Sequence, residues 1–365
     1  MKSTLTLLAT SVALAATLSA CAPGMGAGMG GGASTAPMSP MAPMGMTARP
    51  DADMQAVLDA HAALGARPIE SLTVAQARSQ PSPADAVNRV KTMMGMPTRP
   101  DASVTTTNLT YPTGGATQPV RVYKPAGAGA DLPVVVYFHG GGWVIADLDV
   151  YDATPRAMAK TLNAIVVSVE YRKGPEHRFP AFYEDANNAW KWVQENARAW
   201  GGDPMNIAVA GESAGGNLAL NVAIAARDGG WTQPKAILAV YPIADSNPQL
   251  PSKLENTASL PLRTPTLGWF GQYALRSPAD QTDARYNLVA ANLRGVGPVT
   301  IVNAQIDPLR SDGESLMTAL RAAGVPVERR VWDGAVHEFF SMADVVADAR
   351  EAQTWSFGRL RMALR

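Results

Sequence analysis

The chain is poor in the residues that most often carry redox or metal chemistry. It has one cysteine in 365 residues, Cys21, so no internal disulfide can form. Its four histidines stand at 61, 139, 177 and 337, so few imidazoles can serve as a base. An excess of either charge is missing too. With 31 basic and 31 acidic residues the formal charge is zero, the pI is near 6.9, and no basic block stands out. That balance gives no support to a nucleic-acid partner. Beyond the N-terminus no apolar run is long enough to span a bilayer. Neither a P-loop lysine pattern nor a G-x-G-x-x-G opening is present, and no internal repeat is seen. What remains is a chain with an ordinary hydrophobic share of 47% and enough length to bury a large core. Length alone allows one big α/β domain or two modest ones.

The first residues, MKSTLTLLATSVALAATLSAC, carry one early positive charge, Lys2, and an apolar stretch from about Leu5 to Ala20. That run is short for a spanning helix and suits a secretory signal. It closes on Leu18-Ser19-Ala20-Cys21, which resembles the lipobox of bacterial lipoproteins. The resemblance implies a signal peptide over residues 1–20 and lipidation of Cys21, which becomes the new N-terminus. An ordinary cleaved signal followed by an incidental cysteine is the alternative. Ala22, rather than Asp, follows the cysteine, which in such lipoproteins points to the outer rather than the inner membrane. The expected location is therefore the bacterial envelope, periplasmic or cell-surface, with the membrane reached through the lipid anchor. Residues 22–50 are Gly, Ala, Met, Pro and Ser without periodicity and read as a flexible tether. A coil of that length reaches roughly 30 Å. Its six methionines have no histidine or second cysteine nearby to complete a soft-metal site.

From Asp51 the pattern becomes that of a folded domain running to residue 365. DADMQAVLDAHAALG places Met54, Val57, Leu58 and Leu64 at helical spacing, and SPADAVNRVKTMM opens on a helix-start signal. Two short helices over 51–96, ahead of the first strand, suggest a cap. VTTTNLTY and QPVRVYKP then predict a strand pair, and LPVVVYF a continuously buried strand. A helix near 152–163, the strand AIVVSVE, a long helix from about Phe182 to Ala199 and the strand NIAVAG follow. The strands KAILAVYP, VTIVNAQ and PVERRVW come later with helices between them, and a helix closes the chain. This alternation predicts an α/β fold with a mostly parallel sheet and helices on both faces. The insertion at about 244–290 is placed to complete the cap.

In AVAGESAGGNLAL a lone hydroxyl, Ser213, stands among glycines where strand gives way to helix. G-x-S-x-G at such a junction is the pattern of a nucleophile elbow. Asp307 and His337 also stand at or just after predicted strand ends, where chemistry collects in an open parallel sheet. Serine, aspartate, histidine is the order found in α/β-hydrolases. A serine hydroxyl needs a base such as imidazole, and a carboxylate fixes the imidazole tautomer. At the end of another buried strand comes HGGGW, His139 to Trp143. Consecutive glycines there can turn backbone N–H groups toward a developing oxyanion, together with the N–H of Ala214.

HGGGW, YRKGPEHRFPA, GESAGG, DPLRSDGE and the VH before EFF occur in the order and spacing of the bacterial hormone-sensitive-lipase-like carboxylesterases. The chain resembles that family over about 51–365. The resemblance implies an α/β-hydrolase fold and hydrolysis of short- to medium-chain esters of small molecules, without metal or cofactor. It implies Ser213 as nucleophile, His337 as base and Asp307 as acid. Gly141, Gly142 and Ala214 are the implied oxyanion donors, with Gly140 a further candidate. Two positions depart from the family pattern: Glu212 where Asp is more usual, and Lys173-Gly174 where an apolar pair is usual.

Other residues compete for these roles or support them. Asp312 and Asp333 are rival acids; Asp307 is favoured because it closes a strand, while Asp333 is expected in a turn, WDGA. His139 and His177 are expected to order loops by hydrogen bonds, and His61 to be a packing or solvated residue. Glu176 and Asp185 read as site-supporting carboxylates. Trp143, Trp269, Phe270 and Tyr273 are core residues or pocket walls. The rival functions are an amidase or peptidase and an acetyl esterase of sugars or xenobiotics, all with the same triad. A third is a surface-anchored binding protein without catalysis.

Overall fold

The computed structural model describes residues 48–365. The expected signal peptide over 1–20, Cys21 and all but the end of the expected tether lie outside the described residues.

Eight strands form one sheet: β1 (Val104–Thr113), β2 (Ala116–Pro125), β3 (Leu132–Phe138), β4 (Ile165–Val169), β5 (Gly202–Glu212), β6 (Ile237–Val240), β7 (Val299–Ile306) and β8 (Val327–Val336). Their spatial order is β1-β2-β4-β3-β5-β6-β7-β8. The β1–β2 and β2–β4 pairs are antiparallel, and every other pair is parallel. β4 and β6 are buried at every position, as strands covered on both faces require.

Among the described residues ten α-helices are joined to this sheet: α1 (Ala52–Ala63), α2 (Val74–Ser79), α3 (Pro83–Met93), α4 (Ala153–Leu162), α5 (Ala181–Asn196), α6 (Ala214–Asp228), α7 (Pro251–Glu255), α8 (Thr264–Ala274), α9 (Arg310–Ala322) and α10 (Ala347–Ala363). Because side chains alternate along a strand, β3 feeds two cores. Val134, Val136 and Phe138 pack with Phe182, Leu218 and Leu316 from α5, α6 and α9. Val135 and Tyr137 join Met158 of α4 and Phe357 and Leu360 of α10 on the other face. Met54 and Val57 of α1 and Val87 and Val90 of α3 extend that second core.

Two local features differ from the sequence expectation. A third short helix, α2, lies between the two expected ones, started by a Thr73–Gln76 capping box. Asp333 belongs to β8 and not to a turn, because the strand continues through an irregular register between Ala304 and Ile306 of β7. The same continuation makes His337 the first residue after β8.

Candidate active site

Parallel strands put their carboxyl ends on one edge of the sheet, and the candidate residues leave from there. The glycine loop follows Phe138 at the end of β3, Ser213 follows Glu212 of β5, Asp307 follows Ile306 of β7, and His337 follows Val336 of β8.

At the elbow Ser213 has φ 56° and ψ −117°, a region that L residues rarely occupy. Its N–H donates to the Val240 carbonyl at 2.8 Å, which pins the strained turn to β6. The turn passes close to the sheet: a Cβ on Gly215 would stand 2.0 Å from the Phe138 carbonyl oxygen. Only glycine fits there, which accounts for the second glycine of G-x-S-x-G.

Ser213 Oγ is 3.1 Å from Nε2 of His337, and Nδ1 of His337 is 2.8 Å from Oδ2 of Asp307. All three side chains are buried, with Ser213 at 5% and His337 at 2% exposure beside the cavity. The other oxygen of Asp307 accepts from the Leu309 N–H at 2.8 Å, which holds the carboxylate in place. Burial pulls the His337 pKa down, but the charge and hydrogen bond of Asp307 and the charges of Glu338 and Glu212 outweigh it. The net effect is a pKa above the ordinary 6.5. The arrangement is that of a serine whose proton an imidazole can accept.

Asp312 does not reach this group. Its Oδ1 accepts from the N–H groups of Ala244 and Asp245, each at 3.1 Å, and Lys253 lies 3.1 Å from its other oxygen. Burial raises its pKa to about 6 despite those partners. Asp333 is exposed on β8.

Gly141 and Gly142 line the cavity beside Ser213 and His337, and their N–H groups donate to no protein acceptor among the described residues. The N–H of Ala214, first residue of α6, is likewise free, as helix N-termini leave their first donors. Gly140 does not line the cavity; its carbonyl accepts from Tyr171 at 3.2 Å. Three free N–H donors therefore belong to residues beside the serine and its cavity, with Ala214 at the positive end of α6.

The cavity holds about 350 Å³. Leu58, His61 and Ile69 from the N-terminal segment and Leu260, Leu262 and Phe270 from the 244–290 insertion form much of its wall. These two segments hold each other: Arg263 and Thr266 bind Glu70 at 2.8 and 2.7 Å, and Trp269 Nε1 donates to the Leu72 carbonyl. Phe270 alone of the four singled-out aromatics lines the cavity; Trp143 is buried against Phe182, and Trp269 against Tyr273.

Other expectations meet mixed outcomes. His139 is buried, stacked on Tyr171 at 4.4 Å, with Nδ1 2.7 Å from the Gly140 carbonyl. His177, expected to order its loop, is exposed, and only its backbone N–H is bonded, to Lys173. His61 has its Nε2 2.8 Å from the Pro81 carbonyl. Glu176 grips Arg78 at 2.8 Å, and buried Asp185 grips Arg172 at 2.7 Å. Lys173 donates to the Ala146 carbonyl at 2.5 Å and pairs with Glu170, so its charge is spent on the loop.

Several site residues had no sequence signal. Arg78 of α2 donates to the carbonyls of Val144 and Gly174 as well as to Glu176, tying the glycine loop to the YRKGPEH loop. Glu212 is buried behind the serine and accepts from the hydroxyls of Tyr137, at 2.6 Å, and Tyr241. Burial raises its pKa to about 7. Tyr151 and Glu338 complete this cluster. The sequence marks Glu212 only as a departure from the family pattern and Glu338 only as the neighbour of the candidate base; nothing in it marks Tyr137, Tyr151 or Tyr241.

A family profile described by the α/β-hydrolase fold matches residues 135–341. Carboxylesterase NlhH of Mycobacterium tuberculosis is 42% identical over 250 residues, covering 67% of this chain and 78% of its own. The chain belongs to the hormone-sensitive-lipase-like carboxylesterases of the α/β-hydrolase fold. The esterase is also 39% identical over 286 residues to esterase LipI of the same species, covering 76% of this chain and 87% of that one. Among solved structures, the thermostable metagenomic carboxylesterase EstE1 matches the esterase with a TM-score of 0.74 and 33% identity, over 81% of this chain and 99% of its own. The enzyme is a carboxylic ester hydrolase.

Proposed function

We propose that Ser213 is the nucleophile, His337 the general base and Asp307 the orienting acid of this ester hydrolase. The carrying observation is the Ser213–His337–Asp307 hydrogen-bond chain, set against the free N–H groups of Gly141, Gly142 and Ala214. His337 takes the proton of Ser213 as Oγ attacks the ester carbonyl. The oxyanion is held by the glycine loop and Ala214, and the imidazolium is stabilised by Asp307. His337 then gives its proton to the departing alcohol. Water, deprotonated by the same imidazole, hydrolyses the acyl-enzyme.

A cavity of about 350 Å³ closed by residues of 51–96 and 244–290 suits esters with short to medium acyl chains, and these two segments act as its cap. Turnover of p-nitrophenyl esters of increasing acyl length tests the reading, with Ser213→Ala as control. A maximum at short or medium chains that vanishes in the variant supports it; turnover that survives the substitution overturns it. A fluorophosphonate that fails to label Ser213 would count equally against it.

The same enzyme is proposed to sit in the bacterial envelope as a lipoprotein, lipidated on Cys21 and held off the outer membrane by residues 22–50. The sequence supports this through the apolar leader, the Leu18–Cys21 pattern and Ala22. Among the described residues no helix is long and apolar enough to cross a membrane. Growth with an alkynyl palmitate analogue should label the wild-type chain and leave Cys21→Ser unlabelled. Labelling of both, or of neither, overturns the assignment.

A further inference from the structure

Glu338 follows His337 and lines the same cavity, with Oε1 3.9 Å from His337 Nε2. Its carboxylate is underused. Both oxygens lie 2.7 Å from one hydroxyl, that of Tyr151, which has a single proton to give. Among the described residues no lysine or arginine pairs with it. A carboxylate offers about four acceptor sites, so most of its capacity is unmet by the protein. The side chain is 16% exposed and lines the cavity. A charged group so placed gains from a donor brought by a ligand.

The backbone supports a functional reason for this residue. Glu338 has φ 72° and ψ −3°, a left-handed conformation that non-glycine residues rarely adopt. The direction it faces follows from the chemistry and rests on the triad reading above. Nε2 of His337 hands its proton to the leaving oxygen, so a group 3.9 Å from Nε2 flanks the alcohol half of the ester.

We propose that Glu338 is a specificity-determining residue that accepts a hydrogen bond from a hydroxyl on the alcohol portion of the substrate, near the scissile oxygen. The enzyme then favours monoesters of diols and polyols over esters of plain alkanols.

The test compares 2-hydroxyethyl butyrate with propyl butyrate, which differ by a hydroxyl in place of a methyl group. Hydrolysis is followed by acid release with the full-length wild type, Glu338→Gln and Glu338→Ala. The wild type should favour the hydroxyethyl ester about tenfold in kcat/KM, the size expected for a hydrogen bond to a charged acceptor. Glu338→Ala should bring the ratio near one, and Glu338→Gln should fall between. A wild-type ratio near one overturns the inference. So does an unchanged ratio in both variants with equal loss on the two esters, the mark of a role confined to His337. Turnover of p-nitrophenyl butyrate by wild type but not by Ser213→Ala separates the two levels. If it holds and the ratio does not move, the inference alone fails; if it does not hold, the triad reading fails with it.

Discussion

Asp307 Oδ2 stands 2.8 Å from Nδ1 of His337 across thirty residues of chain, while Asp312, in the helix that follows, turns to backbone N–H groups and Lys253. Two buried carboxylates close in sequence thus do different work. Asp307→Asn should lower kcat by about 10⁴-fold, because the amide supports the wrong imidazole tautomer. Asp312→Asn should lower the melting temperature and leave kcat within tenfold. Steady-state kinetics and thermal unfolding of the two variants check the pair, and equal kinetic losses would refute the division.

Removing the nucleophile is the more severe change. Ser213→Ala should reduce kcat by about 10⁶-fold, since a triad acts as a unit. Its folding should be preserved, because alanine keeps the Cβ and must hold the same φ 56° elbow, so stability should stay close to that of the wild type. Single-turnover kinetics and denaturation on one preparation give both values.

The pH profile should report His337. The base works only when neutral, and its pKa is raised above 6.5, so activity should fall as pH drops through a midpoint above 6.5. Measuring kcat/KM from pH 5 to 9 shows the limb. A flat profile down to pH 5 would rule out His337 as the base.

Glu212 should link pH to stability instead. Its folded pKa, about 7, lies above the ordinary 4.5, because burial penalises the charged form. A raised pKa means that its contribution is fully present below 4.5 and is lost as pH rises through about 7. The change is on the order of 3 kcal/mol, at about 1.4 kcal/mol per pKa unit. Glu212→Gln does not titrate, so its stability relative to wild type should improve by about that amount between pH 4 and pH 8. Urea unfolding at the two pH values measures it, and parallel pH dependences would exclude Glu212 as the source.

The glycine loop is sensitive to a single methyl group. A Cβ on Gly142 would stand 2.2 Å from the Phe270 ring, at a residue whose φ is +59°. Gly142→Ala should therefore lower kcat by about 10²–10³-fold through the displaced oxyanion donor. KM should move less, because the donor acts mainly in the transition state. A loss confined to KM would speak against Gly142 as a donor.

Much of this molecule was legible along the chain because its signals are local. Alternating strand and helix runs, predominantly apolar in the central strands, specify a sheet covered on both faces. The elbow serine among glycines, the glycine loop and the Asp-then-His order each occupy a strand end. In a parallel sheet that shared feature suffices to bring Ser213, Asp307 and His337 to one edge. The motifs therefore encoded their own meeting place.

What the tertiary structure decided is everything that depends on contacts between distant segments. Asp333 extends a strand because β7 pairs with it through an irregular register, which no local turn propensity reports. Arg78 sits on a helix too short to show periodicity, and its role exists only because three loop groups converge on it. His177 lies in a family-like motif and nonetheless points to solvent. The tyrosine and glutamate cluster behind the serine, and the free acceptor sites of Glu338, arise from Tyr137, Tyr151 and Tyr241 meeting Glu212 and Glu338 across three strand ends and two loops. Residue type and spacing determine which chemistry a chain can perform. Long-range packing determines which polar groups are satisfied, and so which are left to meet a substrate.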